Sequence, residues 1–229
     1  MNSERNDKVR EDTKALRLEE FRIFCDENPL EFDTHQFERV KDDIQNPRDG
    51  IVSDEYVDFI LWSKGIKSRQ ECFAEFVERK FPLAKYPEML EVGAGRNARL
   101  SSLLSQKGYR MTAMDPQIRL FHKVNESVKY IRESFTYGKT DIAEYDAVIA
   151  QEPCEAAEHI IRECVKMRKD FVVGLCGTPH KLINGEMPAD VYEWYRYLEA
   201  IDKENCMLTT PNLIPGYVSC VIIGKFGED

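Results

Sequence analysis

From Tyr86 to the C-terminus, short apolar segments alternate with amphipathic ones, and this alternation restricts the fold more than any other feature of the chain. MLEVG, YRMTAMDP, VKYIRESF, DAVIAQEP and DFVVGLCG have the length and apolar content of buried strands. The segments ARLSSLLSQKG, QIRLFHKVNES and CEAAEHIIRECVKMR between them carry helical periodicity. Strands that return to one sheet through helices run parallel, with helices on both faces. An aromatic helix, ADVYEWYRYLEAIDK, follows the fifth strand. CMLTTPNLIPGYVSCVIIGKF then reads as two strands joined by a Pro-Gly turn. The expected fold is α/β, a doubly wound and mostly parallel sheet with a C-terminal antiparallel hairpin.

The first 82 residues read as a helical extension, and 83–229 as the α/β domain. LRLEEFRIFCDENP, THQFERVKDDI, SDEYVDFILWSKG and SRQECFAEFVERKF are four helical patterns. The last two each open on a serine cap with acids in the first turn, which suits the positive end of the helix dipole. Trp62 is expected in a core. The N-terminus is too polar for a signal peptide, and no apolar run approaches the length of a membrane span. Seven cysteines without a CxxC pair argue against a disulfide framework and a compact zinc site, and for a reduced, cytoplasmic protein. No spacing of His, Cys or Asp suggests a metal. The net charge of −9 disfavours general attraction to nucleic acid.

The first strand runs into EVGAGRN, Glu91 to Asn97, and then into a helix. Glycines in that turn let backbone approach a ligand, and the helix N-terminus offers free N–H groups. Asp115 ends the second strand, where an acid accepts hydrogen bonds from ribose hydroxyls. Strand, turn and downstream acid together indicate a nucleotide site. GAGRNA also satisfies the dinucleotide pattern G-x-G-x-x-A. Glu91 decides against it, because a carboxylate beside a pyrophosphate is repulsive, whereas it suits a cationic ligand.

On these residues the chain resembles the class I S-adenosylmethionine-dependent methyltransferases, over about residues 86–226. The resemblance implies a Rossmann-like fold that binds S-adenosylmethionine. It implies that Glu91, Gly93, Ala94 and Gly95 face the methionine part, and that Asp115 holds the ribose. Pro116 and Gln117 would flank the adenine, and Glu133, Ser134 and Phe135 approach it. Gln151 and Glu152 would line the boundary between cofactor and acceptor. Asn97 stands where a third glycine is common. Asparagine tolerates unusual backbone angles, so an altered turn is expected there rather than a lost site.

Methyl transfer needs the acceptor positioned and sometimes deprotonated. The segment after the fourth strand, QEPCEAAEH, lacks the motif of amino-methylating nucleic-acid enzymes. Candidate catalytic residues are Glu152, Cys154 and His180. Glu152, Glu155, Glu158 and His159 form an acidic, titratable cluster, the last three on one helix face. It reads first as a solvated surface and second as a base or a binding site for a basic acceptor. The aromatic run YEWYRY reads first as core and second as an acceptor wall. Pro153-Cys154, with Cys176 after the fifth strand, raises RNA cytosine-C5 chemistry, which needs a thiolate nucleophile. From Arg96 to Lys139 nine Lys/Arg face three acids, so RNA is a possible but not favoured partner. The expectation is a methyltransferase for a small-molecule acceptor. An NAD-dependent oxidoreductase, a non-catalytic cofactor-binding protein and an RNA cytosine-C5 methyltransferase stay open.

Overall fold

The computed structural model describes residues 2–27, 34–46, 53–119, 125–211 and 220–227. They divide into two compact units, Met1–Ser68 and Arg69–Asp229. The first holds α1 (Asn2–Glu27), α2 (Thr34–Gln45) and α3 (Asp54–Ser63). Its core is aromatic: Phe21 stacks on Phe37 at 5.3 Å and Phe24 meets Trp62 at 5.4 Å, around buried Val40, Ile44 and Phe59. Ser53 caps α3 by accepting from the Tyr56 amide (3.3 Å) and donates its hydroxyl to Asp43 (2.5 Å). α1 begins well before the apolar pattern that marks it in the sequence. Its first half is Glu-, Asp-, Arg- and Lys-rich and carries no apolar stripe to read.

The second unit opens with α4 (Arg69–Lys80), followed by β1 (Glu88–Val92), α5 (Arg99–Gln106), β2 (Arg110–Met114), β3 (Val128–Ile131) and β4 (Ala147–Gln151). It continues through α6 (Ala156–Met167), β5 (Asp170–Leu175), α7 (Val191–Glu199), β6 (Cys206–Thr209) and β7 (Cys220–Gly224). The compact units divide after Ser68 rather than near residue 82. Phe73, Ala74, Phe76 and Val77 of α4 bury in the same apolar cluster as strand residues Met89, Ile149 and Val172. The helix expected over QIRLFHKVNES lies in part outside the described residues, as does the Pro-Gly turn before β7.

The seven strands form one sheet in the order β3-β2-β1-β4-β5-β7-β6. β3 through β5 run parallel, and β7 pairs antiparallel with both β5 and β6. The fold is the Rossmann-like, mostly parallel α/β sheet expected from the resemblance to class I methyltransferases. Its hairpin extends the sheet beyond β5, but not in chain order. β7 is inserted between β5 and β6, so the second hairpin strand lies inside the sheet. The side chains explain the placement: CVIIG is buried throughout, whereas CMLT leaves Met207 exposed, as an edge strand does. One sheet face packs against α6 and α7 and the other against α4 and α5. The carboxyl ends of β1, β2, β4 and β5 converge along one edge, the place where open parallel sheets bind ligands.

Candidate active site

After β1 the chain turns through Gly93, Ala94 and Gly95. Gly93 (φ 73°) and Gly95 (φ 67°) occupy the left-handed region, where a Cβ is strained. Their surroundings differ. A Cβ on Gly93 would meet Cα and Cβ of Pro153 at 3.0 Å, whereas one on Gly95 would meet nothing within 4 Å. The turn after β4 therefore adds a steric demand for glycine at position 93, whereas at Gly95, which borders open space, the backbone angle alone makes that demand. The amides of Gly93 and Ala94 donate to the Met114 carbonyl (2.9 and 3.3 Å), and that of Gly95 to Asp115 Oδ2 (3.0 Å). The turn is thus bound to the end of β2. The unusual backbone angle expected at Asn97 falls one residue later, on Ala98 (φ 46°), which is buried beneath α5.

Glu91 is 3% exposed, and its Oε2 accepts from both the amide (2.9 Å) and the hydroxyl (2.5 Å) of Ser101 in the first turn of α5. It braces β1 against α5 and does not present its carboxylate to the turn. Burial pushes its carboxyl up to about 7, against the lowering effect of the Ser101 hydrogen bonds. The carboxyl also takes up N–H capacity at the start of α5 that an anionic ligand would otherwise use.

Asp115 follows β2 and is half-buried. Its Oδ1 accepts from the Gln117 amide at 2.7 Å and its Oδ2 from Gly95. A carboxylate has about four acceptor sites, so this arrangement leaves capacity for two hydroxyls. Pro116 and Gln117 are exposed beside it, as are Glu133 and Ser134 after β3. Phe135 is 6% exposed and belongs to the sheet core with Leu90, Val92 and Met114. Gln151 ends β4, half-buried and paired with Gly174.

The turn after β4 is unusual. Glu152 and Cys154, on either side of Pro153, both have φ 52°, a costly conformation for residues with a Cβ. The Glu152 amide donates to the Gly174 carbonyl at 2.8 Å, and its carboxylate pairs with Arg69 at 3.3 Å. Arg69 carried no signal in the sequence, since it begins a helix 83 residues away. Cys154, Cys176 and His180 come together here, with one sulfur or ring nitrogen from each within 4.8 Å of the others. Cys176 Sγ lies 2.9 Å from His180 Nε2. The Cys154 thiol beside it, then His180, hold the Cys176 thiol below its ordinary value against the opposing effect of burial. The Cys154 thiol is correspondingly raised.

α7 supports this cluster from behind. The Tyr195 hydroxyl donates to the Cys176 carbonyl (2.8 Å), and Trp194 meets the His180 ring edge-on at 5.2 Å. Both aromatics are buried. Glu158 is not part of a solvated face. It is buried, accepts from Arg162 Nε and the Tyr197 hydroxyl (each 2.8 Å) and from the Ile183 amide (2.7 Å), and fixes the loop after β5 to α6 and α7. His159 Nδ1 accepts from the Tyr137 amide at 3.1 Å.

The basic stretch from Arg96 to Lys139 is partly balanced by neighbouring acids. Arg99 and Lys107 pair with Glu71 and Glu78 of α4, Arg110 with Glu88, and Lys129 with Glu144. Among the described residues, no helix is long and apolar enough to cross a membrane.

No protein-family model matches the chain, and no curated protein matches it in sequence. Solved structures are similar to it. Human N-acetylserotonin methyltransferase in complex with S-adenosylmethionine is 14% identical, with a TM-score of 0.47 over 83% of this chain and 66% of that one. A TehB-like methyltransferase from Corynebacterium glutamicum is 15% identical (TM-score 0.47; 76% of this chain, 97% of that one). The 1,6-didemethyltoxoflavin-N1-methyltransferase of Burkholderia thailandensis, bound to its acceptor and S-adenosylhomocysteine, is 14% identical (TM-score 0.44; 78% and 94%). At these identities the ligands and acceptors belong to those proteins.

Proposed function

We propose that the chain is an S-adenosylmethionine-dependent methyltransferase acting on a small-molecule acceptor. One observation carries the choice of cofactor. The amides of Gly93, Ala94 and Gly95 donate to protein acceptors, and the Ser101 amide donates to Glu91. A pyrophosphate cradle needs such amides free to point at phosphate oxygens. The same turn suits a nucleoside whose remaining portion is cationic. Gly95 borders open space, and Asp115 keeps acceptor capacity for ribose hydroxyls. The antiparallel β7 between β5 and β6 also departs from the six-strand dinucleotide order 3-2-1-4-5-6. Glu91 enters the reading differently from its expected role. It positions the turn through Ser101 rather than meeting the methionine part.

In this reading Asp115 holds the ribose, and Pro116, Gln117, Glu133 and Ser134 border the adenine. The bound cofactor supplies an electrophilic methyl group on sulfonium. The protein's own work is to orient the acceptor beside the turns after β4 and β5. Glu152, aimed by Arg69, is the group placed to accept a hydrogen bond or proton from an N–H or O–H of the acceptor.

Calorimetric titration with S-adenosylhomocysteine, with NADH as control, tests the proposal. Saturable binding of the first is expected. Asp115→Ala is expected to weaken it by about 10- to 100-fold, the range for a lost hydrogen bond to a charged group. Asp115→Asn, which keeps one acceptor, should lose less. Heat from NADH alone, or unchanged affinity in Asp115→Ala, would sink the assignment.

A second reading, RNA cytosine-C5 methylation, gains from the meeting of Cys154 and Cys176. The paired charges of residues 96–139 weigh against it. Full activity on RNA in both Cys154→Ala and Cys176→Ala would remove a nucleophilic role for either thiol.

A further inference from the structure

The turns after β4 and β5 bring two thiols and an imidazole to one point, although no metal-binding spacing appears in the sequence. Cys154 and Cys176 are 22 residues apart in the chain, and β4 and β5 are hydrogen-bonded neighbours in the sheet. One donor atom from each of Cys154, Cys176 and His180 lies within 4.8 Å of the others. In a tetrahedral zinc site, with Zn–S about 2.3 Å and Zn–N about 2.0 Å, neighbouring donors stand roughly 3.5–3.8 Å apart. Side-chain adjustments of about an ångström bring the three atoms to that spacing. Two thiolates and an imidazole are also the soft-to-borderline donors that zinc prefers over the hard cations magnesium and calcium.

We infer that Cys154, Cys176 and His180 form a three-ligand zinc site at the carboxyl ends of β4 and β5. The cluster is built rather than incidental. The backbone that delivers Cys154 is held at φ 52° on both sides of Pro153. The Cys176 carbonyl is fixed by the Tyr195 hydroxyl, and the His180 ring rests against Trp194. Such outer contacts orient the ligands of a metal before it arrives. Among the described residues no fourth His, Cys, Asp or Glu joins the group. The remaining tetrahedral place is left for water or for a heteroatom of a bound molecule, as in zinc sites that take part in chemistry. Cys154 is exposed, which gives the ion a way in. The inference stands independently of the cofactor assignment, because zinc binding is read without any methyl transfer.

The test uses the full chain, purified under reducing conditions with zinc present and dialysed against a weak chelator. Elemental analysis is expected to return one zinc per chain. Replacement by cobalt should give the visible bands of a tetrahedral ion and thiolate-to-metal charge transfer in the near ultraviolet. Cys154→Ala, Cys176→Ala and His180→Ala should each weaken zinc binding more than about 100-fold, beyond the loss seen for outer contacts alone. Thermal melting confirms that each variant is folded. Should Cys176→Ala fail to fold, the exposed Cys154 variant and the wild-type cobalt spectrum still decide. Three results would overturn the site: no retained zinc in the wild type, a cobalt spectrum of six-coordinate oxygen ligation, or equal zinc in wild type and Cys154→Ala. A Cys154–Cys176 disulfide that forms equally fast with and without added zinc also counts against it.

Discussion

Gly93→Ala is expected to lower the free energy of unfolding by about 2–5 kcal/mol. Two terms add. An L-residue in the left-handed region costs about 1–2 kcal/mol, and Gly93 has φ 73°. The new methyl group would also lie 3.0 Å from Pro153 Cα and Cβ. One of these atoms is backbone, in a turn already held at positive φ on both sides of Pro153, so the neighbour yields little. Overpacking of this kind costs about 1–3 kcal/mol. Gly95→Ala makes the internal control. It carries the same backbone penalty (φ 67°) with no atom within 4 Å, so only about 1–2 kcal/mol is expected. Its methyl group instead enters the space assigned to the cofactor. Denaturant unfolding and S-adenosylhomocysteine titration should therefore separate the pair. Gly93→Ala loses mainly stability, and Gly95→Ala loses mainly affinity. Equal stability losses would show that contact with Pro153 is not what holds position 93 to glycine.

The pH dependence of stability carries a second large effect, from Glu91. Its carboxyl titrates near 7 in the folded protein, against an ordinary value of 4.5, with burial as the main cause. Asp115 and Tyr130 are the titratable neighbours that feel its charge. Below about pH 4.5 both folded and unfolded chains hold the proton, and the contribution is complete. Between about 4.5 and 7 the folded chain keeps a proton that the unfolded chain has released, so stability falls as pH rises. Above about 7 the loss levels off. A difference of that size is on the order of 3 kcal/mol. Other carboxylates titrate in the same range, so the measurement is a comparison. Unfolding free energies of wild type and Glu91→Gln are followed from pH 4.5 to 8, and the wild type should fall by about 3 kcal/mol more. Glutamine keeps a carbonyl for the Ser101 hydroxyl and amide, so the variant should fold. Parallel curves would mean that Glu91 is ionised in the folded protein across the range.

The position of the candidate site in the fold was legible where the signal is local. EVGAGRN was legible because a strand, a glycine turn and a helix are consecutive. Asp115 was legible because it ends the next strand in the chain. Both fall at the carboxyl edge of the sheet, as the strand-helix alternation requires. The role of Glu91 was not legible. Its spacing from the glycines places it at the end of β1, but only packing of α5 brings Ser101 to its carboxylate and closes the space around it. The contact that Pro153 makes at Gly93 was not legible, since Pro153 is 60 residues away along the chain. Glu158 looked like part of a surface because helical spacing cannot show that Tyr197 and the Ile183 amide will cover it.

The sequence by itself determined the class of fold, the position of the first turn and the carboxylate that follows it. Periodicity reports which side of each segment must leave water, and that is a property of neighbouring residues. Only the tertiary structure decided that β7 enters the sheet between β5 and β6, and that Arg69 meets Glu152. It likewise decided that Cys154, Cys176 and His180 share one point. Those pairings join residues whose separation along the chain carries no pattern, and they are fixed by which strands lie side by side when the apolar faces of the sheet are covered.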